Sequence, residues 1–356
     1  MDLQAFTTVE EKKNAFEYEQ VGSFKDAIDR LTNVATNGAY FRGLADGSWK
    51  LYSSMQREWI TRELWHRFNG SYSNIVSEFL NYVYENNSIQ LRRHCKVVTD
   101  ISVFSVLQHY GAPTPFVDWT SDWKVALYFA SDTNGLCFGN ETSSFVSVYW
   151  LNVGEGASTP NNDLTSFSQM LEQYRSSIET IAISNNDYAE ATKFDKWKNL
   201  DALWMEESDD EFMKISNPRA DLQNGAFVYS KEKEKSLDKI FSGKKFTDDY
   251  SESGGTLIID PSDSFDVSKL TKIPQDVINT PNEAPLYLPK IHCLDIHKSL
   301  VPQIKKYLSD RGISKKSLGL DSDDWGKDAF QSFLCRDSED FFLDVDDKNS
   351  SSEGDC

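Results

Sequence analysis

Apolar positions in the first third of the chain recur at helical spacing between polar turns. In SFKDAIDRLTNVATN, Phe24, Ala27, Ile28, Leu31 and Val34 fall on one side of a helix, with Ser23 as N-cap and Asn37-Gly38 as the stop. A strand AYFRGL follows at once. GSWKLYSSM alternates Trp49, Leu51 and Ser53 on one side, which predicts a second short strand, and Gln56 to Phe68 then reads as helix. Ile75, Val76, Phe79, Leu80 and Val83 stripe a further helix between Asn74 and Asn86.

The run QHYGAPTPFVDWTSDWKVALYFA has a different grammar. Ile101 to Tyr110 predicts a helix that closes at Gly111, the residue type best suited to a left-handed C-cap. Pro113 and Pro115 forbid continuation, so FVDWT is expected to be extended. Thr120 or Ser121 can cap the next helix, in which Val125, Ala126, Phe129 and Ala130 line one side. SFVSVYWLNV alternates as a central strand does, and Leu164 to Glu207 reads as two helices, an insertion over about residues 160–215. Strands are expected at GAFVYS, TLIID and YLPKIHCLDI, then a helix over His297 to Arg311 closing at Gly312. Strands and helices mix without a βαβ rhythm, which favours an α+β fold of mixed or antiparallel sheets with surrounding helices. No repeat, heptad pattern or linker divides residues 1–336, so one elaborated domain is expected there, followed by an acidic, disordered tail over 337–356 whose charge favours solubility.

Composition narrows the functional classes. At 356 residues, 39% hydrophobic and 13% aromatic, the chain can furnish a substantial core. A formal charge of −19 disfavours non-specific binding to nucleic acid or anionic lipid, because such affinity comes largely from Lys and Arg displacing counterions. Single pockets escape that argument, since charges beyond a Debye length of about 8 Å are largely screened. The five cysteines are scattered and lack a Cys-x-x-Cys spacing, so free thiols in a reducing cytoplasm are expected, with neither disulfides nor a metal site. No signal-peptide core and no long apolar run are present, which predicts a soluble intracellular protein without a membrane span. His66, His94, His292 and His297 show no ligand spacing, and no phosphate-binding glycine motif appears.

Candidate chemistry begins at Arg42, at the end of the AYFRGL strand. Its planar guanidinium can clamp a phosphate or carboxylate through paired hydrogen bonds, and Gly43 lets the backbone turn or a ligand come close. Alternatively Arg42 pairs with one of the chain's many carboxylates. His109 and Tyr110 can contact a ribose or act as general base and orienting hydroxyl, or His109 can simply bond the backbone at its helix end. Asp118 either faces a cleft or caps the following helix, while Trp119 and Trp123 suit core packing better than base stacking. Arg219 is either a second anion contact or the partner of a nearby acid such as Asp221.

Four separated blocks carry a family resemblance: FRGLADGSWKLYSSMQRE, LQHYGAPTPFVDWTSDWKVALYFASD, NPRADLQNGAF and LVPQIKKYLSDRGISKKSLG. Their order resembles the bacterial and phage FRG family, named for its Phe-Arg-Gly. Two departures stand out. Pro115 occupies the place where family members usually carry Arg, which removes a second basic contact, and Gly319-Leu320-Asp321-Ser322 replaces the usual Phe-Pro-Asp-Leu.

The element order is also similar, more remotely, to ADP-ribosyltransferases. That resemblance implies a cleft for NAD or a related nucleotide, no metal, and a bacterial or phage-related effector, toxin or defence role. Arg42 would hold the pyrophosphate or the nicotinamide-ribose side of NAD, Thr120 and Ser121 would brace the cleft floor, and Gln223 would stand where those enzymes have the catalytic glutamate. Glutamine can donate and accept, yet it offers no countercharge to a sugar cation, and losing such a term typically costs about 3 kcal/mol, on the order of a hundredfold in rate. Either Asp118 or Asp221 serves instead, or the nucleotide is bound without cleavage. The rival reading is a non-catalytic module that binds a protein target or regulatory partner, or senses a ligand; a nuclease would need clustered acids or a basic track that the sequence does not display.

Overall fold

The structure, a computed structural model, describes residues 2–95, 98–133, 139–152, 193–198, 203–206, 222–240, 291–321 and 324–336. Among these, seven strands form one mixed sheet in the order β1-β7-β4-β2-β3-β6-β5, and helices cover it, an α+β fold as expected. The strands are β1 (Glu17–Val21), β2 (Ala39–Leu44), β3 (Phe116–Thr120), β4 (Phe145–Asn152), β5 (Leu203–Glu206), β6 (Gly225–Tyr229) and β7 (His292–His297). Only β1 and β7 run parallel; every other neighbouring pair is antiparallel.

The larger helices are α1 (Val9–Ala15), α2 (Phe24–Ala35), α3 (Ser54–Thr61), α4 (Tyr72–Asn86), α5 (Ser88–His94), α6 (Asp100–His109), α7 (Trp123–Ser131), α8 (Val301–Ser309) and α9 over 325–336. Their ends follow local chemistry. Ser23 accepts from the Asp26 amide to start α2, and Gly38 stops it at φ +71°. Thr99 and Ser102 form a reciprocal capping box on α6, which gives way to Gly111 at φ +82°.

Side-chain alternation divides the sheet into two faces. On one face, Phe41, Val148, Trp150, Leu294 and Ile296 pack under α2, α7 and α8, while farther along the same face Phe116, Phe227 and Tyr229 pack against α4, α6 and α9. The opposite face buries Leu44, Val117, Trp119, Tyr149, Leu151, Ala226, Val228 and Cys293 with Phe6 and Phe16. The first face is thus covered by two separate helical layers, whose boundary runs along β2 and β3.

Several expected elements differ. Within GSWKLYSSM only Trp49 bridges, to Ala5; Leu51 is instead held by the buried Asp238 carboxylate and by the Leu237 amide. The helix expected over Gln56 to Phe68 starts earlier, on a Ser53–Gln56 capping box, and α3 ends at Thr61 because Glu63 turns left-handed (φ +52°) before a 3-10 turn at Leu64–His66. Neither Thr120 nor Ser121 caps α7; Asp122 does, accepting from the Lys124 amide. Leu203–Glu206, expected to be helical, is a strand on β6, and His297 closes β7 ahead of a helix that begins at Val301. TLIID, most of the expected insertion and the acidic tail lie outside the described residues.

One charged cluster fixes the N-terminal segment. Lys12 and Asp295 are both fully buried, with Lys12 Nζ donating to Asp295 Oδ1 at 2.5 Å and to Ser147 Oγ at 2.9 Å. Tyr18 and Ser147 also donate to the same carboxylate, so α1 is tied to β1, β4 and β7 through one acceptor. Breaking such a pair from one side leaves a buried, uncompensated charge. Lys12→Ala is expected to lower unfolding free energy by about 3–5 kcal/mol in urea titration, and adding Asp295→Asn to recover part of the loss.

Candidate functional site

β2 and β3 are joined through a single pair, Phe41↔Thr120, whereas β2 pairs with β4 along its whole length and β3 pairs with β6 likewise. Beyond that pair the two strands part, and Arg42 bridges them: its Nη1 donates to the Asp118 carbonyl at 2.7 Å and lies 3.6 Å from Asp118 Oδ2. Arg42 falls by alternation on the face of Tyr149, its partner in register, so its guanidinium occupies the seam itself.

Gly43 sets the other wall. A Cβ built there would lie 1.8 Å from the Ala126 carbonyl oxygen and 2.7 Å from the Ala130 nitrogen, so the backbone of α7 rests directly on β2. The glycine serves this helix–strand contact; the strand continues straight through it to Leu44.

The parted strands open a cleft of about 340 Å³. Arg42, Gly43, Gln108, His109, Asp118, Thr120 and Gln223 line it, with Phe129, Phe227, Leu320 and Trp49 as apolar walls. Asp118 is positioned by Gln108, whose Nε2 donates to both carboxylate oxygens at 2.8 and 2.9 Å. The Gln108 carbonyl in turn accepts from Thr114 and Ser54 hydroxyls, so α6, the Gly-Pro corner and α3 all orient one carboxylate. Asp118 therefore faces the cleft and caps no helix.

Thr120 braces the floor: its hydroxyl donates to the Gln223 carbonyl at 2.5 Å and accepts from the Asp122 amide. Gln223 Nε2 donates to the Leu318 carbonyl at 3.1 Å, so that amide is held by backbone. His109 bonds the Ser105 carbonyl through Nδ1 at 2.8 Å, which places a proton on Nδ1, while its ring meets Phe227 edge-on in the cleft wall. His109 thus bonds the backbone at its helix end and also lines the cleft.

Two of the expected site residues are not brought in. Tyr110 turns toward the helical layer, where its hydroxyl bonds His94 Nδ1 and its ring packs on Trp325. Ser121 is exposed outside the cleft, its amide bonded to the Asn224 carbonyl. Arg219, like Asp221, lies outside the described residues. Trp119 and Trp123 are 2% and 6% exposed, core residues as their spacing suggests, although Trp119 also contributes to the cleft wall.

Trp49, Gln108 and Asp132 line the cleft and escaped the sequence reading. Trp49 is 49% exposed, and the alternation of GSWKLYSSM places it on one side of a predicted strand without giving it a role. Arg57, on α3, interacts electrostatically with both Arg42 and Asp118. Burial, and then the like charge of Arg42, push the Arg57 guanidinium down to about 10, which leaves it charged at neutral pH. Burial likewise lowers Arg42, opposed by Asp118, and Arg42 Nε is buried without a hydrogen-bond partner among the described residues. Arg57 itself does not line the cleft.

The site is thus a concave, largely apolar cleft with unspent cationic donors, an acceptor carboxylate and a backbone-anchored floor, the general character of a small-molecule pocket. Among the described residues no group of three or more His, Cys, Asp or Glu is placed to hold a metal, and no helix is long and apolar enough to cross a membrane.

An α+β protein with a largely apolar cleft at a parted sheet seam is the class these features define. Within it the chain carries an FRG domain, whose family model matches residues 37–135, from β2 to just past α7. The match holds Arg42, Gly43, Arg57, Gln108, His109, Asp118 and Thr120; Gln223 and the later blocks lie beyond it. No curated protein and no solved structure matches the chain.

Gly43→Ala is expected to be costly, since only backbone atoms of α7 could yield. We expect a loss of roughly 3 kcal/mol in thermal or urea unfolding, against little change for Gly22→Ala, where nothing lies within 4 Å of an added Cβ.

Proposed function

We propose that the cleft binds NAD or a related nucleotide, with its anionic portion at Arg42 and a ribose hydroxyl donating to Asp118. The observation that carries this reading is the convergence of Arg42, His109, Asp118, Thr120 and Gln223 on one cleft, with Arg42 Nε buried and unsatisfied. A buried guanidinium donor without an acceptor costs free energy that an anionic ligand can restore. The volume, about 340 Å³, sits at the lower end of the usual range for ligand pockets, roughly 300–1,000 Å³, and suits one nucleotide half of NAD.

Transfer of ADP-ribose would place the demand for countercharge on Asp118, since Gln223 is neutral and its amide is engaged by Leu318. Asp118 lies beside Arg42 with its carboxylate held by Gln108, where it can accept from a ribose hydroxyl and oppose positive charge growing on the sugar. An effector or defence role for such an activity rests on the FRG and ADP-ribosyltransferase resemblances alone. The engagement of Gln223 also favours a second reading, in which the cleft binds its nucleotide as a sensor without turning it over.

Calorimetry with NAD and ADP-ribose tests the first reading: wild type is expected to release heat on binding, and Arg42→Ala to bind about tenfold to a hundredfold more weakly. Absence of heat with every nucleotide, or equal affinity in both proteins, contradicts it. Nicotinamide release then separates turnover from sensing, with Asp118→Asn expected to abolish any release while nucleotide still binds.

A further inference from the structure

We propose that Trp49 is a stacking platform for a flat heteroaromatic ring at the mouth of the cleft, so that a ribose phosphate bearing such a ring lies with its phosphate inside and its ring outermost. The inference rests on the nucleotide reading above and names the part of the ligand that the outer cleft takes.

The residues that line the cleft divide by depth. Arg42 lies inside, its side chain 12% exposed, with its unmet Nε donor buried. Trp49 and Asp132 line the same cleft and are exposed, so they stand at its mouth. A cation inside and a carboxylate outside favour one orientation of an anionic ligand: its phosphate meets Arg42, and a second anion beside Asp132 would be repelled. The uncharged ring is therefore left for the mouth, where the indole offers an aromatic surface.

Trp49 is held in place by its backbone rather than by burial of its indole. It bridges Ala5 in antiparallel fashion, and its amide donates to the Asp46 carbonyl at 3.2 Å. Asp46 fixes the preceding turn: Oδ1 accepts from the Ser48 amide and hydroxyl at 2.9 and 2.6 Å, and Oδ2 accepts from the buried Lys298 at 2.9 Å. Gly47 lies so near the Thr142 carbonyl that an added Cβ would come within 2.5 Å of its oxygen. Lys50, next along the chain, turns to the Phe6 ring at 4.9 Å. A loop tied this firmly that still leaves a tryptophan 49% exposed forgoes burial the indole could gain. A flat ring laid on the indole supplies that burial, and the loop needs no ordering first. Such stacking accepts any flat heteroaromatic ring, adenine and nicotinamide alike.

The test measures binding of AMP, nicotinamide mononucleotide, ribose 5-phosphate and adenine to the full chain by calorimetry, for wild type, Trp49→Ala and Trp49→Phe. At least one mononucleotide is expected to bind wild type about tenfold more tightly than ribose 5-phosphate, and its identity tells which ring the mouth takes. Trp49→Ala is expected to remove that advantage and leave ribose 5-phosphate affinity unchanged, and Trp49→Phe to keep most of it. The same mononucleotide is expected to quench tryptophan emission more in wild type than in Trp49→Phe. Equal affinity of the mononucleotide for wild type and Trp49→Ala overturns the platform while leaving the nucleotide reading intact. A loss that extends equally to ribose 5-phosphate marks Trp49 as structural and overturns the platform as well. Binding of adenine that depends on Trp49, with no gain for AMP over adenine, upholds the platform and overturns the nucleotide reading. No binding of any probe to wild type overturns both.

Discussion

The parting of β2 from β3 is the constraint on which the rest of the molecule turns. Fully paired strands would bring the two helical layers of that face together and leave no cleft. Pairing at Phe41↔Thr120 alone keeps the sheet continuous, and beyond it the Arg42 guanidinium replaces the missing ladder bond by donating to the Asp118 carbonyl. The same side chain therefore has a structural bond on one nitrogen and an unsatisfied donor on another. Gly43 completes the geometry, since only a residue without Cβ lets α7 rest on β2 at this distance. The Phe-Arg-Gly triplet thus carries three physical jobs in succession: a core residue and last ladder partner, a bridge across the seam, and a helix contact.

Much of this was legible in the sequence, and the reasons are local. Strands AYFRGL and FVDWT lie where the pattern puts them, because alternation and the flanking Gly38 and Pro113-Pro115 leave little choice. Arg42, His109, Asp118, Thr120 and Gln223 share one cleft although 181 positions separate the first from the last. What failed was decided by tertiary contacts. The expected strand at GSWKLYSSM has no partner beyond the Trp49 bridge, since Asp238 and Leu237 claim the backbone of Leu51. Tyr110 follows His109 directly, yet the helix end rotates it toward His94 and Trp325.

The electrostatics of the site run against those of the whole chain. A formal charge of −19 repels anions at long range, but screening confines that effect to the surface, and in the cleft Arg42 stands beside Asp118 with a buried donor unmet. By contrast, the buried Lys12–Asp295 pair is balanced one to one and closed by Ser147 and Tyr18. The contrast separates charges that hold the fold from charges left for something else. In the first case each charge meets its opposite within the protein; in the second a buried guanidinium nitrogen stays without an acceptor among the described residues.

The most direct test is a crystal structure of the full chain grown with ADP at saturating concentration. The account predicts phosphate density in the β2–β3 seam, within hydrogen-bond distance of Arg42 Nε, with the ribose beside Asp118. An ordered ADP bound away from the seam, or a seam left empty at saturation, would contradict it.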